Sequence, residues 1–389
     1  MRVAIVYDCL YPSTVGGAER WYRGVARRLA ARHRVTYVTR PQWPSGATPD
    51  VPPGVELVTV GSGGGLYTRA GRRGKLGPLA FGAGVLAHLA GARRRYDVVH
   101  TCAFPYFPLL AAGVAERAGG PAVVADWIEI WSREYWRRYL GAAGPVGDLV
   151  QRLAVRATKR AFVFSRLYED RLRSLGYAGS LRRLTGMLDE VPPEGAAEPR
   201  EPLVVFAGRH IPEKQTASIP AAVALARGRV PDLRAILFGD GPERTATLLE
   251  VTRHGLDGIV RCPGFRPWSE IDLALRRASC LVLPSLREGY GLVVAEAAAR
   301  GTPSIVAAAP DSAASELVEE GVNGFVVPAA DPRALAEAIT RAVESGPDLV
   351  RRTEAWFAAN RERLTIDGSI PVIEQLYEEI AARSASGTS

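Results

Sequence analysis

Glu288 and Glu296 are two carboxylates whose spacing asks for a reason. Seven residues separate them in Pro284-Ser-Leu-Arg-Glu-Gly-Tyr-Gly-Leu-Val-Val-Ala-Glu-Ala-Ala-Ala-Arg-Gly-Thr-Pro303. The pattern predicts a strand ending at Leu283, a tight loop holding Gly289 and Gly291, and a helix from about Leu292 to Arg300 that stops at Gly301. Glycines at a strand-to-helix turn let backbone amides approach an anion, and the helix start favours negative charge. Glu288 then falls in the loop and Glu296 in the second helical turn. Both can face one cleft, one gripping a sugar and the other a ribose through hydroxyl pairs. The plainer alternative is a solvated acid on a surface helix. Against it, Ala295, Ala297, Ala298 and Ala299 surround Glu296, and a carboxylate among small apolar residues needs partners.

A second segment, Phe206-Ala-Gly208-Arg209-His-Ile-Pro-Glu-Lys214, follows another apolar run. Two fixed cations, Arg209 and Lys214, suit a departing diphosphate, whose negative charge grows as its bond breaks. Lys214 is one of only three lysines, with Lys75 and Lys159, among 49 cationic residues, so its place here is less easily accidental. A pair of surface cations is the alternative. A third segment is Val15-Gly16-Gly17-Ala18-Glu19; two glycines in a turn often do no more than shape it. Gly239-Asp240-Gly241-Pro242-Glu243 carries one aspartate among turn residues and reads as a turn, not a metal site.

The segment around Glu288 resembles the E-x7-E signature of the family 4 retaining glycosyltransferases of the GT-B type. The likeness runs over the whole chain. It is strongest from Val204 to Ala338 and takes in Asp240-Gly241, Gly264-Phe265, Asn323-Gly324-Phe325 and Asp331-Pro-Arg-Ala-Leu335. The resemblance implies an α/β fold of two Rossmann-like domains whose parallel sheets face across a cleft. It implies transfer of a sugar from a nucleoside diphosphate, a UDP-sugar by family frequency, to an acceptor hydroxyl with the anomeric configuration kept. The leaving phosphate takes the acceptor proton on the same face, with no cofactor and no required metal. Under the resemblance Arg209, Lys214 and Glu288 are catalytic and Glu288 contacts the donor sugar. Glu296 holds the ribose, and the backbone around Tyr290, Gly291 and Leu292 cradles the diphosphate beside Gly208. Gly16 and Gly17 face the diphosphate and acceptor across the cleft.

One stretch departs from the pattern. In Ala125-Asp126-Trp127-Ile128-Glu129-Ile130-Trp131, Ile128 stands where some family members carry a histidine that hydrogen-bonds the sugar 6-hydroxyl. Asp126 or Glu129 substitutes for it, or the donor lacks that hydroxyl, or the reaction is unusual. His100, Asp126, Trp127 and Glu129 are the candidate acceptor or sugar contacts. The structural alternative for His100 is a bond to a nearby carbonyl. The aromatics from Trp127 to Tyr139 either pack on neighbouring helices or offer a stacking platform to acceptor rings.

The elements that must position these residues follow from apolar runs. In the first half these are Val3–Tyr7, Val35–Thr39, Val55–Val60, Val98–His100 and Ala122–Ala125. In the second half they are Leu203–Ala207, Ala235–Phe238, Ile259–Arg261, Cys280–Leu283, Ser304–Ala307 and Gly324–Val327. Strands alternating with helices predict a parallel sheet in each half. Helices are expected over Glu19–Ala31, over Leu76–Ala90 as a buried or cleft-edge helix, and over Ile370–Ala382. The N-terminal, acceptor-binding domain spans 1–190, with a C-terminal helix of 368–389 packing back on it. Four prolines between Val191 and Pro202 mark a linker. The nucleotide-sugar-binding domain spans 203–367.

The chain has 389 residues, too long for one typical core. Its formal charge of +8 suits anionic partners such as nucleotide diphosphates or phospholipid headgroups. No nucleic-acid motif accompanies the charge, so no nucleic-acid partner is expected. Cys9, Cys102, Cys262 and Cys280 are far apart and read as reduced, apolar thiols. With no signal peptide or spanning run, the chain is expected in the cytoplasm, with peripheral contact at the inner face of the membrane. Basic, aromatic stretches (Arg69–Lys75, Arg93–Tyr96, Arg133–Tyr139, Arg152–Arg160) fit anionic lipid or equally a solvated face. The acceptor is either a small molecule or oligosaccharide, or lipid-linked. A sugar-nucleotide epimerase and a catalytically altered sugar-nucleotide-binding protein are the alternative functions.

Overall fold

Strands that are apolar on both faces pair in parallel and need helices on each side. A computed structural model describes residues 1–44, 46–63, 74, 76–92, 95–192 and 198–386. Outside the described residues lie the basic stretch Arg69–Lys75 except Gly74, Arg93 and Arg94 of the second basic stretch, linker residues 193–197, and 387–389 of the tail. The described residues form two units. One holds those up to Asp189 together with those from Arg363 on; the other runs from Glu190 to Glu362.

In the first unit β1 (Arg2–Val6), β2 (Arg34–Thr39), β3 (Val55–Thr59), β4 (Val98–Cys102), β5 (Ala122–Trp127), β6 (Arg160–Val163) and β7 (Ser180–Arg183) make one parallel sheet, ordered β3-β2-β1-β4-β5-β6-β7. Val3 lies beside Val35 on one flank and Val98 on the other. Around the sheet lie α1 (Gly17–Leu29), α2 (Leu76–Gly91), α3 (Phe107–Arg117), α4 (Arg133–Leu140), α5 (Gly144–Ala157) and α6 (Arg166–Ser174). The short runs β6 and β7 were not foreseen from the sequence. Trp21, Tyr22, Val25, Ala26 and Leu29 form the buried stripe of α1, the helical spacing of a one-sided apolar face.

Expected as a buried or cleft-edge helix, α2 is only half covered: Leu79 and Leu86 are exposed. Its packing edge is glycine. A Cβ on Gly82 would lie 2.7 Å from Phe107 Cβ, and one on Gly84 2.7 Å from the Gly61 amide.

The second unit repeats the plan. Its strands are β8 (Glu201–Ala207), β9 (Arg234–Phe238), β10 (Val260–Gly264), β11 (Ala278–Leu283), the two-residue β12 (Arg287–Glu288), β13 (Ser304–Ala307), the two-residue β14 (Asp311–Ser312) and β15 (Gly324–Val327). The main sheet has the order β10-β9-β8-β11-β13-β15 and β12 pairs with β14. Its helices are α7 (Ser218–Ala226), α8 (Arg244–Arg253), α9 (Trp268–Arg277), α10 (Leu292–Ala298) and α11 (Pro332–Leu364), the last broken at Gly346 before Pro347. Both sheets are thus Rossmann-like, with the strand order reversing direction beside β1 and beside β8. At such a reversal the loops leaving two adjacent strands part to opposite faces and leave a crevice.

The segment read as linker is ordered earlier than expected. Arg200 donates to the carbonyls of Leu275 (3.1 Å), Ala278 (3.1 Å) and Arg300 (2.5 Å) and to Thr302 Oγ1 (2.8 Å), and β8 begins at the next residue. After α11 the chain rejoins the first unit as α12 (Ile366–Ser386). No helix among the described residues is long and apolar enough to cross a membrane. All four cysteines are free and buried; burial pushes the Cys280 thiol up to about 12.

Candidate active site

The loop leaving β8 is shaped by the turn leaving β9. Gly208 N donates to Phe238 O at 3.1 Å, His210 N to Asp240 O at 2.9 Å, and Glu243 N to His210 O at 2.9 Å. This lacing brings two backbones into contact. A Cβ on Gly239 would lie 1.9 Å from Gly208 O, and one on Gly241 2.3 Å from His210 O. The Gly239-Asp240-Gly241 segment leads into a turn that Arg244 N closes on Gly241 O at 3.0 Å, and its glycines permit the close approach. Asp240 spends one carboxylate oxygen on the Gly241 amide, at 2.7 Å.

Arg209 emerges from this loop exposed to solvent. Pro212–Lys214 then makes a single helical turn, closed by Gln215 at φ 49°. That turn aims Lys214 at Glu288, and Lys214 Nζ donates to Glu288 Oε1 in an ion pair. Their side chains are 17% and 13% exposed, so both charges are largely withdrawn from water but reachable.

Glu288 is held from behind. Leu286 N donates to Glu213 O at 2.8 Å, tying this loop to the cation turn, and Ala313 N donates to Glu288 O at 3.0 Å. Glu288 lies in β12, in register with Ser312 of β14. Gly291 caps α10 at φ 93°, ψ 45°, and a Cβ there would meet Ala314 Cβ at 3.0 Å; only glycine combines that dihedral with that closeness. Tyr290 and Glu296 are buried. The backbone carbonyl of Glu296 accepts from Arg300 Nη1 at 2.7 Å. Asp272, 2.6 Å from Arg300 Nε, and the Trp268 ring under the guanidinium fix that arginine.

Two buried hydroxyls beside this cluster, Ser285 Oγ and Ser312 Oγ, have no hydrogen-bond partner among the described residues and so are open to a polar group that enters the site. Neither was singled out from the sequence; the signal available for Ser285 was a polar residue just past the strand end at Leu283, and Ser312, in β14, had none. Lys214 and Glu288 therefore meet; Gly208 and Arg209 stand on the loop leaving β8, Tyr290 and Gly291 on the segment between β11 and α10, and Leu292 and Glu296 in α10. β8 and β11 are neighbouring strands, Val205 beside Leu281.

The candidates of the first unit behave differently. Gly16 precedes α1 in extended conformation, and a Cβ there would lie 2.4 Å from Glu19 Oε2. Gly16 thus gives room for the Glu19 side chain to fold back over the helix start, and Gly17 is the first residue of α1. His100 and Asp126, named as acceptor or sugar contacts, have no exposed surface. Asp126 Oδ2 accepts from Trp21 Nε1 (2.8 Å) and Tyr22 Oη (2.9 Å), Oδ1 lies 2.7 Å from His100 Nε2, and His100 Nδ1 lies 2.7 Å from Tyr377 Oη on α12. The imidazole bonds side chains, not the backbone carbonyl expected of it.

Trp127 is also buried, its Nε1 without a partner. Half-buried Glu129 accepts from Trp131 Nε1 at 3.0 Å, and Ile128 is half-buried beside it. Of the two readings of the aromatics, packing prevails. Trp131 lies within 5.0 Å, ring to ring, of Phe104, Tyr135, Trp136 and Tyr139, and Gln151 bonds its backbone N and O.

Comparison with known proteins agrees across both units. The family described as glycosyl transferases group 1 matches residues 189–357, and that described as glycosyl transferase 4-like domain matches residues 16–184. A D-inositol 3-phosphate glycosyltransferase of Streptomyces griseus is 34% identical over 191 residues, covering 46% of this chain and 39% of that protein. The protein so named in Streptomyces scabiei is 32% identical, covering 62% and 53%. The chain thus spans about two fifths to a half of these relatives' lengths. One from Salinispora tropica is 28% identical over 94% of this chain and 82% of its own. Among solved structures, sucrose-phosphate synthase from Thermosynechococcus elongatus superposes with a TM-score of 0.78 at 19% identity, over 98% of this chain and 99% of that one. Anabaena HepE in complex with UDP-glucose gives 0.68 at 19% identity, over 99% and 100%.

Proposed function

This chain belongs to the family 4 glycosyltransferases of the GT-B fold, and from that premise we propose that it moves a sugar from a nucleoside diphosphate to an acceptor hydroxyl with retention of anomeric configuration. The observation that carries the reading is the Lys214–Glu288 pair at the crevice between β8 and β11. Arg209 stands on the same loop as Lys214, and Glu296 one helical turn beyond the Gly291 cap.

As the glycosidic bond breaks, charge builds on the diphosphate. Arg209, Lys214 and the amides around Tyr290, Gly291 and Leu292 are the groups we assign to offset it. An arriving diphosphate competes for Lys214 and frees Glu288 to accept from a donor-sugar hydroxyl. Glu296 receives the ribose hydroxyls, and Ser285 and Ser312 supply hydroxyls still in need of partners. With two cations and a row of amides in these roles, the reaction runs without a divalent ion. The leaving phosphate accepts the acceptor's proton on the face it departs from.

UDP is the favoured nucleotide of the donor, since the similar HepE is seen in complex with UDP-glucose. A polyol phosphate enters as one candidate acceptor because the curated relatives carry D-inositol 3-phosphate in their names; sugars and lipid-linked sugars are the others. The first unit is assigned the acceptor.

The test has two stages. Thermal shift against UDP-, GDP- and dTDP-sugars identifies the donor. With that donor, release of nucleoside diphosphate is followed with and without acceptors, in the presence of a chelator. Lys214→Ala and Glu288→Gln are each expected to lower kcat about 100-fold or more with the fold intact. Near-normal turnover in either variant defeats the assignment; loss of activity with chelator defeats metal independence. A product epimerised from donor alone would identify an epimerase instead.

A further inference from the structure

The outer face of α5 is apolar where a solvated helix would be polar. Val146, Leu149 and Leu153 are 60%, 54% and 44% exposed and fall at i, i+3 and i+7, one stripe of the helix. Rotation of the helix is not free to hide them. Gly147 faces inward, where a Cβ would lie 2.2 Å from the Trp136 ring of α4, and Gln151, Ala154 and Val155 are buried on the same side.

The next position along the stripe is Arg156. On α4, which packs against α5, Arg137 and Arg138 are exposed as well. None of these three arginines has an ion-pair or hydrogen-bond partner for its guanidinium among the described residues. From Arg133 to Arg160 there are seven cations (133, 137, 138, 152, 156, 159, 160) and two acids (134, 148), a net charge of +5. Asp148 is already engaged by Arg133 and Arg152, at 3.3 and 3.0 Å.

A run of adjacent exposed leucines and valines beside unpaired arginines is poorly suited to water and well suited to a lipid interface. There, apolar side chains enter the acyl boundary while guanidinium groups meet anionic headgroups. We propose that the α4–α5 face docks the first unit onto an anionic membrane surface. The inference does not depend on the donor assignment, since it uses none of those residues. A protein partner would need acidic groups opposite Arg137, Arg138 and Arg156; an anionic leaflet supplies that charge everywhere, so a face with no shaped groove suffices.

The full chain is sedimented with vesicles of phosphatidylcholine alone and of phosphatidylcholine mixed with phosphatidylglycerol. Binding is expected only to the anionic vesicles and is expected to weaken as salt is added. The double variant Leu149→Asp/Leu153→Asp and the triple variant Arg137→Glu/Arg138→Glu/Arg156→Glu are each expected to lower partitioning about tenfold or more. Unchanged circular dichroism and unfolding midpoint confirm that they fold, and the triple variant leaves the apolar packing untouched if the double variant does not. Absence of binding, equal binding to both vesicle types, or anionic binding that survives both variants overturns the proposal. So does lipid-free self-association that disappears in the Leu149→Asp/Leu153→Asp protein, which would make this face a contact between copies of the chain.

Discussion

His210 sits next to Arg209 but points the other way, with no exposed surface, and neither ring nitrogen makes a well-formed hydrogen bond among the described residues, the nearest acceptors being the Leu237 and Phe238 backbone. Burial lowers its pKa from the ordinary 6.5; Asp240 works against that and Arg244 with it. The folded imidazole therefore resists a proton that the unfolded chain accepts. Between the two pKa values the unfolded state binds more protons, so stability of the second unit is full above about pH 6.5 and falls as pH drops below it. The loss is about 1.4 kcal/mol for each unit of pH until the folded group titrates. The unfolding midpoint should fall between about pH 7.5 and about pH 5.5, and His210→Phe, edge-on to Phe206 as the imidazole is, should flatten that slope. An identical slope in the variant would show that some other group carries the effect. His210 was invisible as a determinant in the sequence because its neighbours come from the turn after β9.

At the scale of elements, the site depends on two strand exits being crowded together. Gly239 and Gly241 lie at φ 113° and 151° with the Gly208 and His210 carbonyls where a side chain would be. Retreat of either carbonyl disturbs the lacing that sets Arg209, because His210 O accepts from Glu243 N and Gly208 O belongs to the residue whose amide is bonded to Phe238 O. Gly239→Ala or Gly241→Ala should cost roughly 2–4 kcal/mol in denaturant unfolding and weaken donor binding with it. Gly255, also at positive φ but with nothing within 4 Å, is the control. Its alanine variant should cost only about 1 kcal/mol and leave donor binding alone. Equal effects at both places would mean that dihedral strain, not backbone contact, governs the turn.

Across the whole molecule, the last helix completes the first unit. Leu188 and Thr365 pair where the two crossings of the chain run side by side. Arg28 on α1 bonds both Asp189 and Asp367, each at 2.5 Å. Deeper in, Tyr377 of α12 closes the chain of bonds through His100 to Asp126. Asp126→Ala would leave Trp21 Nε1, Tyr22 Oη and His100 without their shared acceptor, a loss of about 3–5 kcal/mol expected for removing the hub of a buried hydrogen-bond network. Tyr377→Phe should cost about 1–3 kcal/mol. Both should shift the unfolding of the first unit, leaving the donor-induced stabilisation of the second unchanged. A loss of donor binding in either variant would contradict that assignment.

The residues of the proposed donor site could be named together because each motif is local. A strand, a glycine turn and a helix start occupy some twenty consecutive positions, and backbone geometry dictates the residue types that fit. Gly291 had to be glycine, and the cations of 209 and 214 and the acids of 288 and 296 announce themselves by spacing. The sheets were legible for a similar reason, since β1, β8 and β11 hold continuous apolar runs. What a linear pattern does not carry is partnership at a distance. His100 and Asp126 stand at strand ends, where ligands bind in such folds, yet Tyr377, 277 residues along the chain, and Trp21 on α1 claim their hydrogen-bonding groups and seal them inside. Likewise the aromatics after Trp127 could have stacked on a ligand or on one another, and Gln151 from the next helix decided for the latter. Composition and periodicity determine which segments become strands and helices and where an anion can be met; only packing decides which polar side chains are left over to meet it.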